Sequence, residues 1–458
     1  MRRDDPSGRD AALSRRAFLK AGGALAAGGM MLPLAAGTAG AAMRVERPAR
    51  PTILSHRVLG RTGFRASDIG LGGSYFAESN VVRYAVERGI NYIDTAPNYG
   101  NGDSESKIGQ AMRHLDRSRL FITTKILLQP DESADSIRER FAGSLQRMRI
   151  DHADALLMHD VRDVDRVGHP GFHAAVAQLK AEGRLRFAGM SSHGPNDDSE
   201  DSMADVLLAA AEDGRYDLFL LRFSFLEAEE GGRVLAACGE KNIGTTAMKT
   251  LPGYMDVPDW DPENPYEGYT SYIERVGRQG VSRDEAIQRI VGWIAQQRAV
   301  QARMRPFVEK HGIETDEQLR DHCVQWALSQ PGMHSVCLTL PSFEAVDRGV
   351  SFSGTQLGET GATFLRDYAA AFGAAHCRIG CAACMGACPH RTPVSRIMRY
   401  GYYFATQHRE KHAMRKYAAL DRDASRCLAC DAPCAGACPH GVAIQPAMVR
   451  AHELLSLA

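Results

Sequence analysis

Between residues 57 and 351, short apolar runs alternate with longer stretches whose apolar residues recur every three or four positions. The runs are Ile90–Asp94, Leu120–Lys125, Ala155–His159, Leu185–Ser191, Asp217–Phe223, Ile243–Lys249 and Ser335–Thr339. Amphipathic stretches between them include Ala134–Met148, Phe172–Glu182, Asp201–Glu212 and Gly232–Lys241. The former predict strands and the latter helices, and their alternation implies parallel βαβ units. The run ends step by 31 residues from Asp94 to Lys125, by 34 to His159, by 32 to Ser191 and by 32 to Phe223. So regular a step predicts a closed eight-stranded α/β barrel, with an open doubly wound sheet as the alternative. Ahead of it, Arg57–Gly63 and Ser67–Leu71 read as a hairpin capping one end. The rhythm fails between Lys249 and Cys323, which is Pro-rich and then helical from Arg283 to Lys310. That stretch predicts an insert over about 254–318, which either shapes a substrate pocket or stands in solvent.

The chain's 458 residues suffice for two or three domains. Its 55 basic and 55 acidic residues cancel, which argues against a nucleic-acid partner bound through phosphate neutralisation. Residues 1–41 have the layout of a signal peptide: Ser14-Arg15-Arg16-Ala17-Phe18-Leu19-Lys20, an Ala/Gly-rich apolar stretch to Ala39, and small residues Ala39-Gly40-Ala41 at a cleavage point. The alternative is an uncleaved anchor, for which the stretch is weakly hydrophobic. The Ser-Arg-Arg-x-Phe-Leu-Lys run resembles the bacterial twin-arginine signal. That resemblance implies recognition by the twin-arginine export machinery and transport, folded and cofactor-loaded, to the periplasm or cell exterior. A linker over 42–56 follows. No later stretch approaches eighteen apolar residues, so the mature protein is expected to have no stable membrane span.

Asp94, Lys125 and His159 each stand at the carboxyl end of an apolar run, where a barrel builds its active site. Tyr99 follows on the loop after Asp94. An ammonium beside a phenol favours the phenolate, a carboxylate holds the ammonium charged, and a neutral histidine can orient a carbonyl oxygen. The segments G-R-T-G at 60–63, D-T-A-P-N-Y-G at 94–100, E-S-K-I-G at 105–109, T-T-K at 123–125 and L-L-M-H at 156–159 resemble the aldo-keto reductase superfamily. The resemblance implies a (β/α)8 TIM barrel over 57–355 with Asp94, Tyr99, Lys125 and His159 as its catalytic tetrad. The implied reaction is hydride transfer between NADPH and a small carbonyl or alcohol substrate, with Tyr99 as proton donor. It further implies cofactor contacts from Ser191, Ser192, Phe223 and Lys249. Three positions depart from the family pattern. The stretch Gly189-Met190-Ser191-Ser192-His193 keeps the family's serine but loses the asparagine that follows it, and Leu220 stands where a glutamine is expected. Leu338–Gly349 lacks the family's glycine and early basic residue, for which Arg348 is the substitute at hand.

Eight of the 11 cysteines fall between Cys377 and Cys438. They form two runs, Cys377-x3-Cys381-x2-Cys384-x3-Cys388-Pro389 and Cys427-x2-Cys430-x3-Cys434-x3-Cys438-Pro439. Each run resembles the bacterial ferredoxin cysteine run with one extra residue; zinc and disulfides remain alternatives. The two-cluster pattern implies that Cys377, Cys381, Cys384 and Cys438 hold one 4Fe–4S cluster, and that Cys427, Cys430, Cys434 and Cys388 hold the second. Residues 356–458 thus read as a helical, ferredoxin-like dicluster domain, with Val394–Ala419 as a helical spacer whose aromatics pack in the core. Cys238, Cys323 and Cys337 read as buried core residues. Together these features predict an exported iron–sulfur oxidoreductase exchanging electrons between nicotinamide, clusters and a redox partner protein. The alternative is an exported electron-transfer protein whose barrel is a binding module that no longer uses nicotinamide.

Overall fold

The computed structural model describes residues 50–195, 201–251, 267–278, 280–312, 316–373, 376–405 and 409–456. The signal-like segment 1–41, the linker up to Ala49 and the start of the insert lie outside them. Strand β1 (His56–Val58) pairs antiparallel with β2 (Arg65–Ser67). Eight parallel strands then close a barrel: β3 (Ile69–Gly72), β4 (Tyr92–Asp94), β5 (Phe121–Ile126), β6 (Ala153–Met158), β7 (Leu185–Ser192), β8 (Leu218–Arg222), β9 (Gly244–Met248) and β10 (Ser335–Leu338). Their order is sequential, and β10 closes against β3.

Alternation along each strand sorts the side chains. Tyr92, Phe121, Ala155, Leu157, Leu218 and Leu220 form one cluster inside the barrel. Ile93, Ile122, Leu156, Met158, Phe219 and Leu221, one position out of phase, belong to the larger core beneath the surrounding helices. Leu59 and Phe64, from the loop joining β1 to β2, join the interior cluster, with Phe64 5.2 Å from the Phe121 ring. The hairpin thereby closes the amino-terminal end of the barrel and leaves the carboxyl end open for chemistry.

The structure moves one boundary. Ser67–Leu71 is not one arm of the hairpin: β2 ends at Ser67, and Ile69–Gly72 is the first barrel strand. Its two glycines hide it from an apolar-run reading, and packing explains them. A Cβ on Gly70 would lie 2.7 Å from the Tyr92 ring, and one on Gly72 would lie 3.0 Å from the Leu338 carbonyl oxygen.

The insert contributes helices Glu267–Gly277 and Arg283–His311. They do not stand free in solvent. Tyr272, Val276, Ile290 and Trp293 pack with Leu428 and Val449 of the C-terminal region. Tyr272 donates to the Leu428 carbonyl at 3.0 Å, and Arg275 pairs with Glu453 at 3.4 Å. The C-terminal region is helical, with Val394–Ala405, Glu410–Ala418, Pro433–Gly436 and Ile444–Leu455, and no strand occurs among its described residues. Its own core joins Val394, Ile397, Tyr402, Tyr417, Ile444 and Met448 to Cys384, Cys388 and Cys434. Among the described residues no helix is long and apolar enough to cross a membrane.

Candidate active site

The carboxyl ends of β4, β5 and β6 bring the four expected residues together. Lys125 Nζ donates to Asp94 Oδ2 at 2.5 Å, to the Thr95 carbonyl at 2.8 Å and to the Tyr99 hydroxyl at 3.4 Å. Thr123 occupies the other Asp94 oxygen at 2.7 Å. His159 stands one residue beyond β6, anchored by its N–H to the Ile126 carbonyl at 2.9 Å. Its ring meets Tyr99 edge-on with centroids 5.7 Å apart. The E-S-K-I-G motif supports this arrangement from outside: buried Glu105 accepts from Thr124 at 2.6 Å and from Arg147 at 2.7 Å.

Burial and charge set the proton inventory. Burial alone would lower the Lys125 ammonium, but the Asp94 carboxylate overcomes this and holds it above its ordinary value. Burial pushes the Tyr99 phenol up to about 12, with Lys125 opposing. The ammonium therefore draws the phenol down, as its position predicts, yet burial dominates and Tyr99 keeps its proton at neutral pH. Burial, reinforced by the nearby Lys125 charge, holds His159 well below the usual histidine range, so its imidazole is neutral.

The residues implied as cofactor contacts are engaged by the protein. Ser191 Oγ accepts the Asp160 N–H at 2.9 Å, and Ser192 is fully buried, accepting the Gly194 N–H at 3.2 Å. Phe223 points away from the mouth. It is 1% exposed and packs 4.7 Å from the Trp326 ring and directly against Gly231, so no ring face is free to stack. Lys249 reaches the mouth and donates to the Tyr403 hydroxyl at 2.8 Å. Arg348 is paired with Asp321 at 2.7 Å. His193, at the end of the stretch that lost the amide, pairs with Asp160 at 3.1 Å and places Nε2 2.9 Å from the Met248 sulfur.

The C-terminal region lies directly over this end of the barrel. Arg222, at the end of β8, bonds Glu227, the Ile379 carbonyl and Glu230, the last at 2.6 Å. Gly380 crosses so near the loop after β7 that a Cβ there would sit 2.2 Å from the His193 carbonyl oxygen. A shallow depression of about 10 Å³ is lined by Lys249, Leu251, Ser224, Glu227, Cys377 and Arg378. All eight tail cysteines are free of disulfides. Cys377 feels the charges of Cys381, Cys384 and Cys438. Cys427 feels those of Cys388, Cys434 and Cys430. Cys434 is also within reach of Cys384. Among the described residues no three His, Cys, Asp or Glu side chains converge on a single-ion site.

Sequence reading missed Arg222, Arg399, Tyr403 and Arg409 as mouth residues. The available signal was the run of arginines and tyrosines at 396–403, on a helix without acidic residues; Arg409, followed by Glu410, gave none.

Residues 73–348 match the profile of the aldo/keto reductase family. L-galactose dehydrogenase of Arabidopsis thaliana is 30% identical over 237 residues, covering 47% of this chain and 72% of that protein. NADH-specific methylglyoxal reductase of Escherichia coli is 30% identical over 179 residues, covering 34% of this chain and half of that protein. An aldo-keto reductase from Klebsiella pneumoniae, solved in complex with NADPH, is 19% identical with a TM-score of 0.45, covering 69% of this chain and 96% of that one.

Proposed function

The chain belongs to the aldo/keto reductase family and is an oxidoreductase, and we propose that it reduces a small carbonyl with NAD(P)H at Tyr99, or runs the reverse reaction, in exchange with two 4Fe–4S clusters. One observation carries this reading: the buried Asp94–Lys125–Tyr99 chain ends on a protonated phenol beside a neutral histidine. These four groups move protons and hold no electrons, so the set fits a reaction whose redox equivalent is brought by a nicotinamide. When bound, the reduced nicotinamide supplies the hydride. Tyr99 gives its proton to the carbonyl oxygen as charge develops there. Lys125 stabilises the phenolate left behind, Asp94 keeps Lys125 charged, and His159 donates a hydrogen bond that fixes the oxygen. Lys249 is the expected contact whose polar group faces the mouth; Phe223 takes no part in the fit.

For the clusters the donor chemistry fits. All eight thiols are unbridged, and six of them, Cys377, Cys384, Cys388, Cys427, Cys434 and Cys438, share one small core. Cys388 Sγ accepts the Thr392 N–H and Cys430 Sγ the Ala432 N–H, each at 3.4 Å, the kind of bond that stabilises a cluster thiolate. When bound, such clusters pass single electrons. The depression shared by Lys249 and Cys377 supports exchange between the mouth and the first set of thiols, with a redox partner protein beyond. The Ser14–Lys20 motif supports twin-arginine export to the periplasm or cell exterior, after the clusters are built. The buried ring of Phe223 and the occupied Lys249 favour a second reading, a barrel that binds its ligand without nicotinamide. Anaerobic titration of the cluster-loaded protein with NADPH and NADH separates the two. Nucleotide binding with bleaching of the iron–sulfur absorbance supports the coupled oxidoreductase, and binding of neither nucleotide would overturn it.

A further inference from the structure

The barrel mouth is roofed by the Val394–Ala405 helix together with Arg409, and these carry positive charge that no described carboxylate neutralises. The Arg399 guanidinium lies 5.1 Å and that of Arg409 5.4 Å from the centre of the Tyr403 ring, whose hydroxyl Lys249 bonds. Arg409 also faces Tyr75, on the rim, at 5.1 Å. The further hydrogen bonds of these arginines go to neutral carbonyls, Leu251 for Arg399 at 3.5 Å and Ser74 for Arg409 at 3.2 Å. Several other arginines drawn inward meet carboxylates, Arg222 with Glu230, Arg147 with Glu105 and Arg117 with Asp154, while Arg57 bonds the Leu328 and Met333 carbonyls. The ion pairs at the mouth join Asp160 to Arg162 and His193, and Arg222 to its glutamates. Among the described residues no carboxylate pairs with Lys249, Arg399 or Arg409.

Tyr403 cannot balance them. Burial favours its neutral phenol; Lys249 and then Arg399 overcome this and bring it down to about 6. Even as a phenolate it is one negative charge against three positive ones. Half-buried cations without counter-charges are costly, and a ligand's anion would offset that cost. The surplus lies at the tetrad's end of the barrel, since Lys249 stands one residue beyond β9 as His159 stands one residue beyond β6.

We propose that Lys249, Arg399 and Arg409 form a seat for a carboxylate or phosphate group, so that the ligand reacting at Tyr99 is an anion held by the C-terminal region. This rests on the carbonyl-reduction reading and names its ligand class. Guanidinium forks suit both groups, and the group belongs either to the carbonyl substrate or to the dinucleotide.

The test is calorimetric titration of the full, cluster-loaded chain with inorganic phosphate, pyruvate and NADPH. Methylglyoxal serves as the neutral counterpart of pyruvate. At least one anion should bind, more tightly than methylglyoxal. Arg399→Gln with Arg409→Gln should weaken it at least about tenfold, as the loss of charge-assisted hydrogen bonds requires. Arg399→Lys with Arg409→Lys should restore part of the affinity, and unchanged cluster absorbance shows that the variants fold. Displacement of phosphate by NADPH assigns the seat to the dinucleotide; displacement by pyruvate with NADPH already bound assigns it to the substrate. Binding of no anion, or undiminished affinity in the glutamine pair, overturns the seat. NADPH-driven reduction of methylglyoxal would still stand in that case, so failure of the seat and failure of the underlying reading are distinguishable.

Discussion

Replacing Lys125 with Met separates what the buried ion pair does for folding from what it does for catalysis. The Lys125 side chain is 0% exposed and that of Asp94 4%, and they touch at 2.5 Å. Among the described residues, the substitution leaves the Asp94 carboxylate inside the barrel with the Thr123 hydroxyl alone donating to it. An orphaned buried charge costs about 3–5 kcal/mol. For a domain of this size that is a fall in Tm on the order of 10 °C. Lys125→Met combined with Asp94→Asn removes both charges, so most of that loss should return. Catalysis should not return. Tyr99 loses the only cation hydrogen-bonded to it, and burial then holds its proton harder still. A defect of about a hundredfold or more in turnover is expected when general-acid support is lost. Thermal unfolding and initial rates with methylglyoxal as carbonyl probe read the two effects separately. A double variant as unstable as the single one would refute the orphaned-charge argument. Near-normal turnover in Lys125→Met would refute the catalytic one.

Tyr99→Phe keeps the Lys125 bonds to Asp94 and Thr95, so Tm should move little while turnover falls by about a hundredfold or more and the clusters still cycle; a silent substitution would remove the barrel from the chemistry. Because Tyr99 is pushed up to about 12 and His159 sits far below its usual range, both hold their working forms for reduction through neutral and moderately alkaline pH. Reduction at saturating substrate should therefore be flat from about pH 7 to 10, whereas alcohol oxidation, which needs the phenolate, should climb roughly tenfold per pH unit; a reduction profile breaking near pH 8 would contradict this. In the crossed cluster assignment, Cys388→Ser and Cys430→Ser disturb the same centre and should alter the same paramagnetic signal, with Cys384→Ser altering the other. If Cys388→Ser instead matches Cys384→Ser, each run holds its own cluster.

What the sequence disclosed and what it withheld follow from the range of the interactions involved. Asp94, Lys125 and His159 were legible because each closes an apolar run, and β4, β5 and β6 are adjacent, so one local rule repeated three times places them together. The strand Ile69–Gly72 was not, because its glycines answer to the Tyr92 ring and the Leu338 backbone, atoms at distant positions in the chain. Phe223 failed as a stacking residue for a related reason. Leu218, Leu220 and Arg222 share one face of β8, and the next residue out of phase turns toward Trp326. A shift of one position therefore exchanges the barrel mouth for the helical layer. The insert and the roof lay furthest from reach. Nothing local to Tyr272 signals Leu428, and nothing local to Tyr403 signals Lys249, 154 residues away in the chain. Yet composition held a trace of it. A helix whose tyrosines and arginines lack acidic neighbours has to find its counter-charge across an interface or in a ligand. Here Lys249 meets the tyrosine and deepens the positive charge, and among the described residues no carboxylate balances it, which is the ground for the proposed anionic ligand.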